Sequence, residues 1–197
     1  GAGVPHSTPE QGVRPGRAAP PPESQVALDA LRRFQQREFL RIGLADLNGL
    51  LSLNAVTGQL SRLADVVIRT ALEIVAAQAQ LSPAGFVVVG LGKLGGGELN
   101  YSSDVDLLFL CEGEEQAGRN AEEWRRLGEL LIAALTKATS QGFLYRVDMR
   151  LRPWGRVGPL VPTLAGYLTY LERNARLWER QALLRARPVA GDLDLGW

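Results

Sequence analysis

A glycine-rich turn between two short apolar segments limits what this chain can fold into. Residues 86–89 form a β-branched apolar run that is followed directly by glycine, which predicts a strand buried on both faces. Residues 105–111 are again mostly apolar and predict a second strand. Only nine residues separate Gly95 from Val105, and five of them are Gly, Asn or Ser. The full crossover helix of a βαβ unit therefore does not fit between these strands.

The same turn also matches a dinucleotide-binding fingerprint. Gly90, Gly92 and Gly95 fit the pattern G-x-G-x-x-G after a strand, and Glu112 lies near the distance expected for a ribose-binding acid. The fingerprint requires a helix after the glycines, so the match is misleading. A P-loop fails as well, because the lysine of the turn is followed by leucine and not by the hydroxyl that would hold Mg²⁺.

The turn is suited to binding an anion. Glycines permit positive φ angles and a close approach of backbone N–H groups to a phosphate. Lys93 adds a positive charge. We therefore expect the segment from Gly92 to Gly96, with Gly95 inside it, to contact phosphate.

Two aspartates follow the turn. Asp104 and Asp106 are two residues apart at the start of the second strand, so their side chains point to the same face with Cα atoms about 7 Å apart. Two such carboxylates can share a pair of Mg²⁺ ions, the arrangement used for in-line attack on phosphorus. Ser102 and Ser103, just before them, are candidate phosphate contacts, although serine also turns a chain by local hydrogen bonding.

A third carboxylate lies further along the chain. Residues 143–152 alternate between apolar side chains and a polar face that carries Asp148 among arginines that include Arg150 and Arg152. If this predicted strand lies beside the second one, Asp148 joins the aspartate pair and the arginines face the phosphates. The alternatives are a loop aspartate pair and an ordinary exposed strand with an internal ion pair.

Composition narrows the possible functions. With 46% hydrophobic and 22% charged residues the chain can bury one core, and we expect a cytoplasmic enzyme domain without a membrane span. A single cysteine, Cys111, excludes an internal disulfide and is expected in the core. The one histidine, His6, excludes a histidine-based zinc cluster or triad. The net charge of +1 does not indicate nucleic-acid binding, although residues 143–187 hold nine arginines against three acids.

The spacing of apolar residues predicts helices over residues 25–47 and 57–80, a further helix before the Asp148 strand, and two helical stretches from residue 163 to residue 187. Trp178, Tyr167 and Tyr170 are expected in the core. We predict an α+β fold with a small mixed sheet and flanking helices. The domain boundaries that we predict are a disordered Pro/Gly-rich tail (1–23), a helical hairpin (24–81), a catalytic domain (82–192) and a short tail (193–197).

Three separated motifs resemble a known family. Residues 90–106 read Gly-Leu-Gly-Lys-Leu-Gly-Gly-Gly-Glu-Leu-Asn-Tyr-Ser-Ser-Asp-Val-Asp, residues 146–153 read Arg-Val-Asp-Met-Arg-Leu-Arg-Pro, and residues 178–182 read Trp-Glu-Arg-Gln-Ala. In this order they resemble glutamine synthetase adenylyltransferase, of the DNA polymerase beta-like nucleotidyltransferase superfamily.

The resemblance implies a bifunctional bacterial enzyme. Such an enzyme attaches AMP from ATP to a tyrosine of glutamine synthetase and removes it with phosphate to give ADP, under the influence of PII signalling protein and glutamine. The resemblance also implies that Asp104, Asp106 and Asp148 hold two Mg²⁺ ions. By the same resemblance, the turn from Gly92 to Gly96, which includes Lys93 and Gly95, would hold phosphate together with Ser102 or Ser103. From the residue pattern we add Arg150 and Arg152 as phosphate-binding candidates.

The chain departs from the family in length, because it holds one copy of the motifs in 197 residues. The motifs resemble the N-terminal, deadenylylating half more than the adenylylating half. The other hypotheses are a polymerase-like enzyme, a non-catalytic nucleotide-binding interaction domain and a nicotinamide-dependent oxidoreductase.

Overall fold

A computed structural model of the chain describes residues 22–113 and 121–197. Its helices are α1 (Pro22–Leu47), α2 (Leu53–Ala79), α3 (Gly92–Gly95), α4 (Ala121–Thr136), α5 (Leu164–Arg173), α6 (Leu177–Ala182) and α7 (Leu193–Gly196). Its strands are β1 (Phe86–Gly90), β2 (Val105–Cys111), β3 (Val147–Asp148) and β4 (Arg187–Gly191), and two 3₁₀ turns cover Gly155–Val157 and Leu183–Arg185.

The four strands form one mixed sheet in the order β3-β2-β1-β4. The central strands β1 and β2 are antiparallel, with Val88 opposite Phe109. This pairing confirms that no βαβ crossover joins them, because a crossover would make the two strands parallel. Strand β3 runs parallel to β2 at one edge, and β4 runs antiparallel to β1 at the other.

Both faces of the sheet are covered. All five residues of β1 are buried, as predicted. Phe86 and Val88 pack into the larger core with α1, α2 and α4, whereas Val87 and Val89 pack on the other face with Tyr167 and Tyr170 of α5. The result is the predicted α+β architecture of polymerase beta-like nucleotidyltransferase type, with a small mixed sheet between helices.

Helix α2 supplies most of the first layer. It begins at Leu53, four residues before the predicted start, because the Ser52 hydroxyl accepts a hydrogen bond from the backbone N–H of Ala55 and caps the helix. Every residue predicted on its apolar stripe is buried: Leu60, Leu63, Val67, Ile68, Ala71, Leu72 and Val75.

Helix α1 is attached to α4 by a buried guanidinium. Arg32 is 1% exposed, pairs with Asp29, and donates to the backbone oxygens of Ala134 and Lys137 at 3.3 Å each. Helix α1 begins at Pro22, two residues inside the predicted tail, since proline at the first helical position loses no hydrogen bond. Residues 1–21 of that tail lie outside the described residues.

The strand predicted over residues 143–152 is much shorter than expected. Only Val147 and Asp148 pair with β2. The predicted alternation also fails, because Leu144 and Tyr145 are both buried while Phe143 is 46% exposed. The backbone N–H groups of Leu144 and Tyr145 both donate to the oxygen of Leu135 at the end of α4, which bends the segment away from the sheet.

Strand β4 is absent from our prediction, which places helix up to Arg187. The strand lies at the sheet edge and has a register shift near Pro188, where the proline needs no ladder N–H. The C-terminal residues predicted as a tail include α7, whose Gly196 packs against Val87 and Pro188.

The aromatic and cysteine predictions have mixed outcomes. Tyr167, Tyr170 and Cys111 are buried, as expected, but Trp178 is 51% exposed. The prediction for Trp178 is wrong because α6 is a short helix with no buried residue. Across residues 22–113 and 121–197, no helix combines the length and apolar character needed to cross a membrane.

Candidate functional site

The sheet brings two of the three predicted carboxylates side by side. Strands β2 and β3 pair in parallel with Asp106 directly opposite Asp148, which confirms the predicted adjacency of their strands. Asp104 directly precedes β2, and its side chain is about half exposed. The three aspartates therefore lie around the start of the β2–β3 pair.

The electrostatics of Asp106 show how closely these groups interact. Burial is the main cause that raises the pKa of Asp106, and the negative charges of Asp148 and Asp104 raise it further. The positive charges of Arg150 and Lys93 oppose this rise. Lys93 of the glycine turn thus acts on the same carboxylate, as the sequence predicts for a shared site.

Two arginines hold the outer aspartates. Arg146 pairs with the Asp104 carboxylate and also donates to the backbone oxygen of Ser102 at 2.6 Å. Arg150 binds Asp148 through its backbone N–H at 2.8 Å and through its guanidinium at 2.8 and 3.0 Å. The guanidinium hydrogen bond is the main reason that the pKa of Asp148 lies below its usual value. Both arginine side chains are largely exposed, at 60% and 76%.

The donor set fits Mg²⁺ by its chemistry, since three carboxylates supply the oxygen ligands that this ion prefers. In the described part of the chain, no three His, Cys, Asp or Glu side chains converge closely enough to coordinate a metal ion as they stand. The two arginine pairs explain this, because each turns an outer aspartate toward a guanidinium. Among the described residues, no side chain or backbone N–H donates a hydrogen bond to the Asp106 carboxylate, which differs in this from the carboxylates of Asp104 and Asp148.

Gly92 shapes the space around the central carboxylate. Its φ is +54°, and a Cβ atom there would lie 2.4 Å from Oδ2 of Asp106. No side-chain-bearing residue fits at this position without moving the carboxylate. At Gly92 the group that approaches closely is the Asp106 carboxylate, whereas the close approach of a phosphate to this turn stays a prediction.

The other glycines of the turn serve packing. A Cβ on Gly95 would lie 1.9 Å from the backbone oxygen of Arg185, and one on Gly96 would lie 3.2 Å from the Arg185 side chain. The N–H groups of both glycines donate to the carbonyl groups of Leu91 and Gly92 inside the turn. The N–H groups of Gly95 and Gly96 are thus already paired within the turn, and a phosphate contact by the turn stays a prediction.

The two serines differ in their contacts. The Ser103 hydroxyl donates to the Asn100 side chain at 2.6 Å and accepts from the Asn100 backbone, which is the local turn role that we consider as the alternative. Ser102 offers its backbone oxygen to Arg146, so its hydroxyl contributes nothing to that contact. A phosphate contact by either serine stays a prediction.

A cleft of about 320 Å³ opens beside the outer aspartates. We call it the arginine cleft, because Arg150, Arg152 and Arg156 line it together with Asp104 and Asp148. Arg152 donates to the backbone oxygens of Met149 and Arg156, so its guanidinium is fixed at the wall. Our sequence analysis does not select Arg156, and the only signal for it is the arginine-rich composition of residues 143–187.

Comparisons with known proteins identify the family to which the chain is similar. The family model described as glutamate-ammonia ligase adenylyltransferase matches residues 12–197. Three curated relatives are each named bifunctional glutamine synthetase adenylyltransferase/adenylyl-removing enzyme. They come from Thioalkalivibrio sulfidiphilus (41% identity over 88% of this chain), Chromobacterium violaceum (42% over 84%) and Nitrosococcus oceani (43% over 84%). The chain spans about a fifth of the length of these relatives, at 20%, 20% and 19%.

Proposed function

This chain belongs to the glutamate-ammonia ligase adenylyltransferase family, and from that premise we propose that it is a Mg²⁺-dependent nucleotidyltransferase domain acting on the adenylyl group of glutamine synthetase. In the direction that we favour, it removes AMP from a tyrosine with orthophosphate and releases ADP, which regulates nitrogen assimilation. The relatives' names include both adenylyl transfer and adenylyl removal.

The observation that supports this proposal is the register of β2 and β3. Asp106 and Asp148 face each other across parallel strands, and the negative charges of Asp148 and Asp104 add to burial in raising the pKa of Asp106. Carboxylates that repel one another in a partly buried site are a feature of functional centres.

The chain's own residues would divide the work of the reaction. Asp104, Asp106 and Asp148 would hold two Mg²⁺ ions, which supply positive charge to the transferring phosphoryl group when bound. Lys93, Arg150 and Arg152 would neutralise phosphate charge. When Mg²⁺ binds, the side chains of Arg146 and Arg150 would move away from Asp104 and Asp148 and leave the positions of their guanidinium groups to the ions. Both arginine side chains are exposed, which allows this movement.

The bond changes are balanced without an oxidant or reductant. An oxygen of orthophosphate forms a bond to the phosphorus of the adenylyl group, and the bond from that phosphorus to the tyrosine oxygen breaks. The tyrosine oxygen takes up a proton, and ADP leaves. In the adenylylating alternative, the tyrosine oxygen attacks ATP, loses its proton, and pyrophosphate leaves.

The same carboxylates serve both directions, so the direction rests on the motif resemblance. PII signalling protein is a partner that we propose only for the full-length enzyme. We propose a cytoplasmic location, which rests on the composition.

The test is to incubate the chain and Mg²⁺ with adenylylated glutamine synthetase and orthophosphate, and to follow the mass of the modified tyrosine. We expect loss of AMP and formation of ADP. Asp106→Asn should abolish both, because the metal site loses its central ligand. Glu98→Gln is the matched control, since this exposed carboxylate follows the same turn and pairs with Arg185 away from the aspartates.

Three other experimental results would each favour a different function for the chain. A gain of AMP from ATP on unmodified glutamine synthetase would assign the chain to the adenylylating half. Binding of Mg²⁺·ADP without turnover in either direction would favour the non-catalytic interaction domain. Binding of NAD without Mg²⁺ would contradict the proposal and favour the oxidoreductase.

A further inference from the structure

A second cleft lies beside the aspartates on the side of α1. It has a volume of about 170 Å³, and four aromatic rings line it: Phe39, Tyr101, Phe143 and Tyr145. We call it the aromatic cleft. Ser102 and Arg146 also line it, and both of these residues belong to the contact that holds Asp104. The aromatic cleft therefore adjoins the Asp104–Arg146 pair of the candidate site.

We propose that the aromatic cleft binds the ring of the substrate tyrosine, the one that carries the adenylyl group. This inference rests on the proposed function, and it adds the location of the protein substrate's side chain. A cleft of about 170 Å³ has room for an aromatic side chain, and the proposed ligand is a single ring that projects from the surface of the partner protein.

The geometry of displacement at phosphorus separates this ring from the phosphates. In an in-line reaction the attacking and leaving oxygens lie on opposite sides of the phosphorus. The arginine cleft, with three guanidinium groups, suits the entering orthophosphate. The leaving tyrosine oxygen must then lie across the carboxylates from that cleft.

The two clefts meet at the Asp104–Arg146 ion pair. Asp104 lines the arginine cleft, whereas its partner Arg146 lines the aromatic cleft. Among the described residues, no residue lines both clefts, so each member of the pair belongs to a different cleft. A phosphodiester held at the aspartates would extend toward orthophosphate on one side and toward the tyrosine ring on the other.

The rings at the opening of the aromatic cleft remain available to a ligand. Phe143 and Tyr101 are 46% and 44% exposed, although large aromatic side chains gain free energy when they are buried. A tyrosine ring bound in the aromatic cleft would contact the side chains that line it and cover part of this exposed surface. Arg146 at the cleft edge also offers a cation to the face of that ring or to the phosphodiester attached to it.

The walls of the aromatic cleft are fixed before any ligand arrives. The side-chain amide of Gln35 in α1 donates to the backbone oxygen of Leu144 at 2.6 Å, and the side-chain amide of Gln36 donates to the backbone oxygen of Gln141 at 2.7 Å. These bonds hold the segment that carries Phe143 against the helix. The rings of Phe39 and Tyr101 lie 6.4 Å apart at 50°, and the Tyr101 hydroxyl donates to Asp46 at 3.1 Å. A prearranged cleft loses little conformational entropy on binding.

The test compares the binding of two ligands to the 197-residue chain by calorimetry in the presence of Mg²⁺. The first ligand is N-acetyl-O-adenylyl-tyrosinamide, which contains the ring, and the second is ADP, which does not. Phe143→Ala should weaken binding of the first about five- to tenfold, the loss expected for one aromatic contact, and leave ADP binding unchanged. Phe34→Ala is the matched control, because Phe34 is 42% exposed and lies in a different groove, between α1 and α2.

Each contrary result has a distinct meaning. Equal weakening of both ligands by Phe143→Ala would overturn the assignment and place the adenine ring in the aromatic cleft. Unchanged binding of both would show that the cleft takes neither ring. Failure of the unaltered chain to bind ADP with Mg²⁺ would overturn the proposed function itself, together with the location that rests on it.

Discussion

Gly92 and Asp106 form the tightest contact of the candidate site. The glycine is needed for two reasons, since its φ is positive and its missing Cβ leaves room for a carboxylate oxygen. Gly97, five residues later, also has a positive φ, at +70°, but no atom lies within 4 Å of its Cβ position. A substitution at Gly97 therefore tests backbone strain alone, whereas a substitution at Gly92 tests backbone strain together with crowding of the Asp106 carboxylate.

We predict that Gly92→Ala abolishes Mg²⁺-dependent ADP binding, because the new methyl group displaces the Asp106 carboxylate. Gly97→Ala should retain this binding and lower only the free energy of unfolding, by about 1 to 2 kcal/mol for a left-handed backbone angle. Calorimetric titration and urea unfolding of both variants measure the two effects. Equal ADP binding by the two variants would show that Asp106 tolerates the displacement.

At the level of elements, β4 and the 3₁₀ turn before it hold the glycine turn in place. Arg187, the first residue of β4, makes two hydrogen bonds to Asp65 of α2, at 2.8 and 3.0 Å. Its guanidinium also donates to the backbone oxygens of Leu94 and Gly95, at 3.1 and 3.4 Å. One side chain thus links α2, β4 and the end of α3.

We predict that Arg187→Gln lowers the free energy of unfolding by about 1 to 3 kcal/mol, because it leaves a partly buried carboxylate and two carbonyl groups without their donor. It should also weaken ADP binding, since the glycine turn loses its anchor. The matched variant Arg185→Gln removes an exposed pair with Glu98 and should change stability by less than about 0.5 kcal/mol. Similar unfolding curves for the two variants, measured in urea, would contradict this role of Arg187.

Over the whole molecule the numbers of positive and negative charges are nearly equal, but the positive groups that we propose for phosphate binding are concentrated in one cleft. The net charge is +1, but three arginines share the arginine cleft. Such a cleft suits the few phosphates of one nucleotide, whereas a polymerase needs an extended basic surface that follows a nucleic-acid strand.

We therefore predict that the chain binds ADP with Mg²⁺ but does not bind a 20-nucleotide single-stranded DNA or RNA at about 150 mM salt, where nonspecific binders have Kd values of about 10⁻⁴ to 10⁻⁶ M. Fluorescence anisotropy of a labelled oligonucleotide measures this, with unlabelled ADP as competitor. Micromolar binding that weakens steeply with salt would favour the polymerase-like alternative instead.

Local patterns in the sequence determined several of the helices and strands, because each of these elements is formed by residues that are neighbours in the chain. The apolar runs around the glycine turn predict β1 and β2, and the helical spacing predicts the buried stripe of α2. The two-residue spacing of Asp104 and Asp106 identifies the candidate site. The predictions of β1, β2 and the α2 stripe succeed because side-chain periodicity depends on backbone geometry over a few residues, whereas the role of the two aspartates stays a prediction.

Only the tertiary structure decided how distant segments meet. The pairing of β4 with β1 makes a strand out of residues 187–191, which we do not predict as a strand from the sequence, and the bonds from residues 144 and 145 to α4 shorten the strand that carries Asp148 to two residues. The Arg187–Asp65 contact joins residues 122 positions apart, and the aromatic cleft combines α1 with two loops. No local period encodes such contacts, because their free energy comes from surfaces that exist only after the chain has packed.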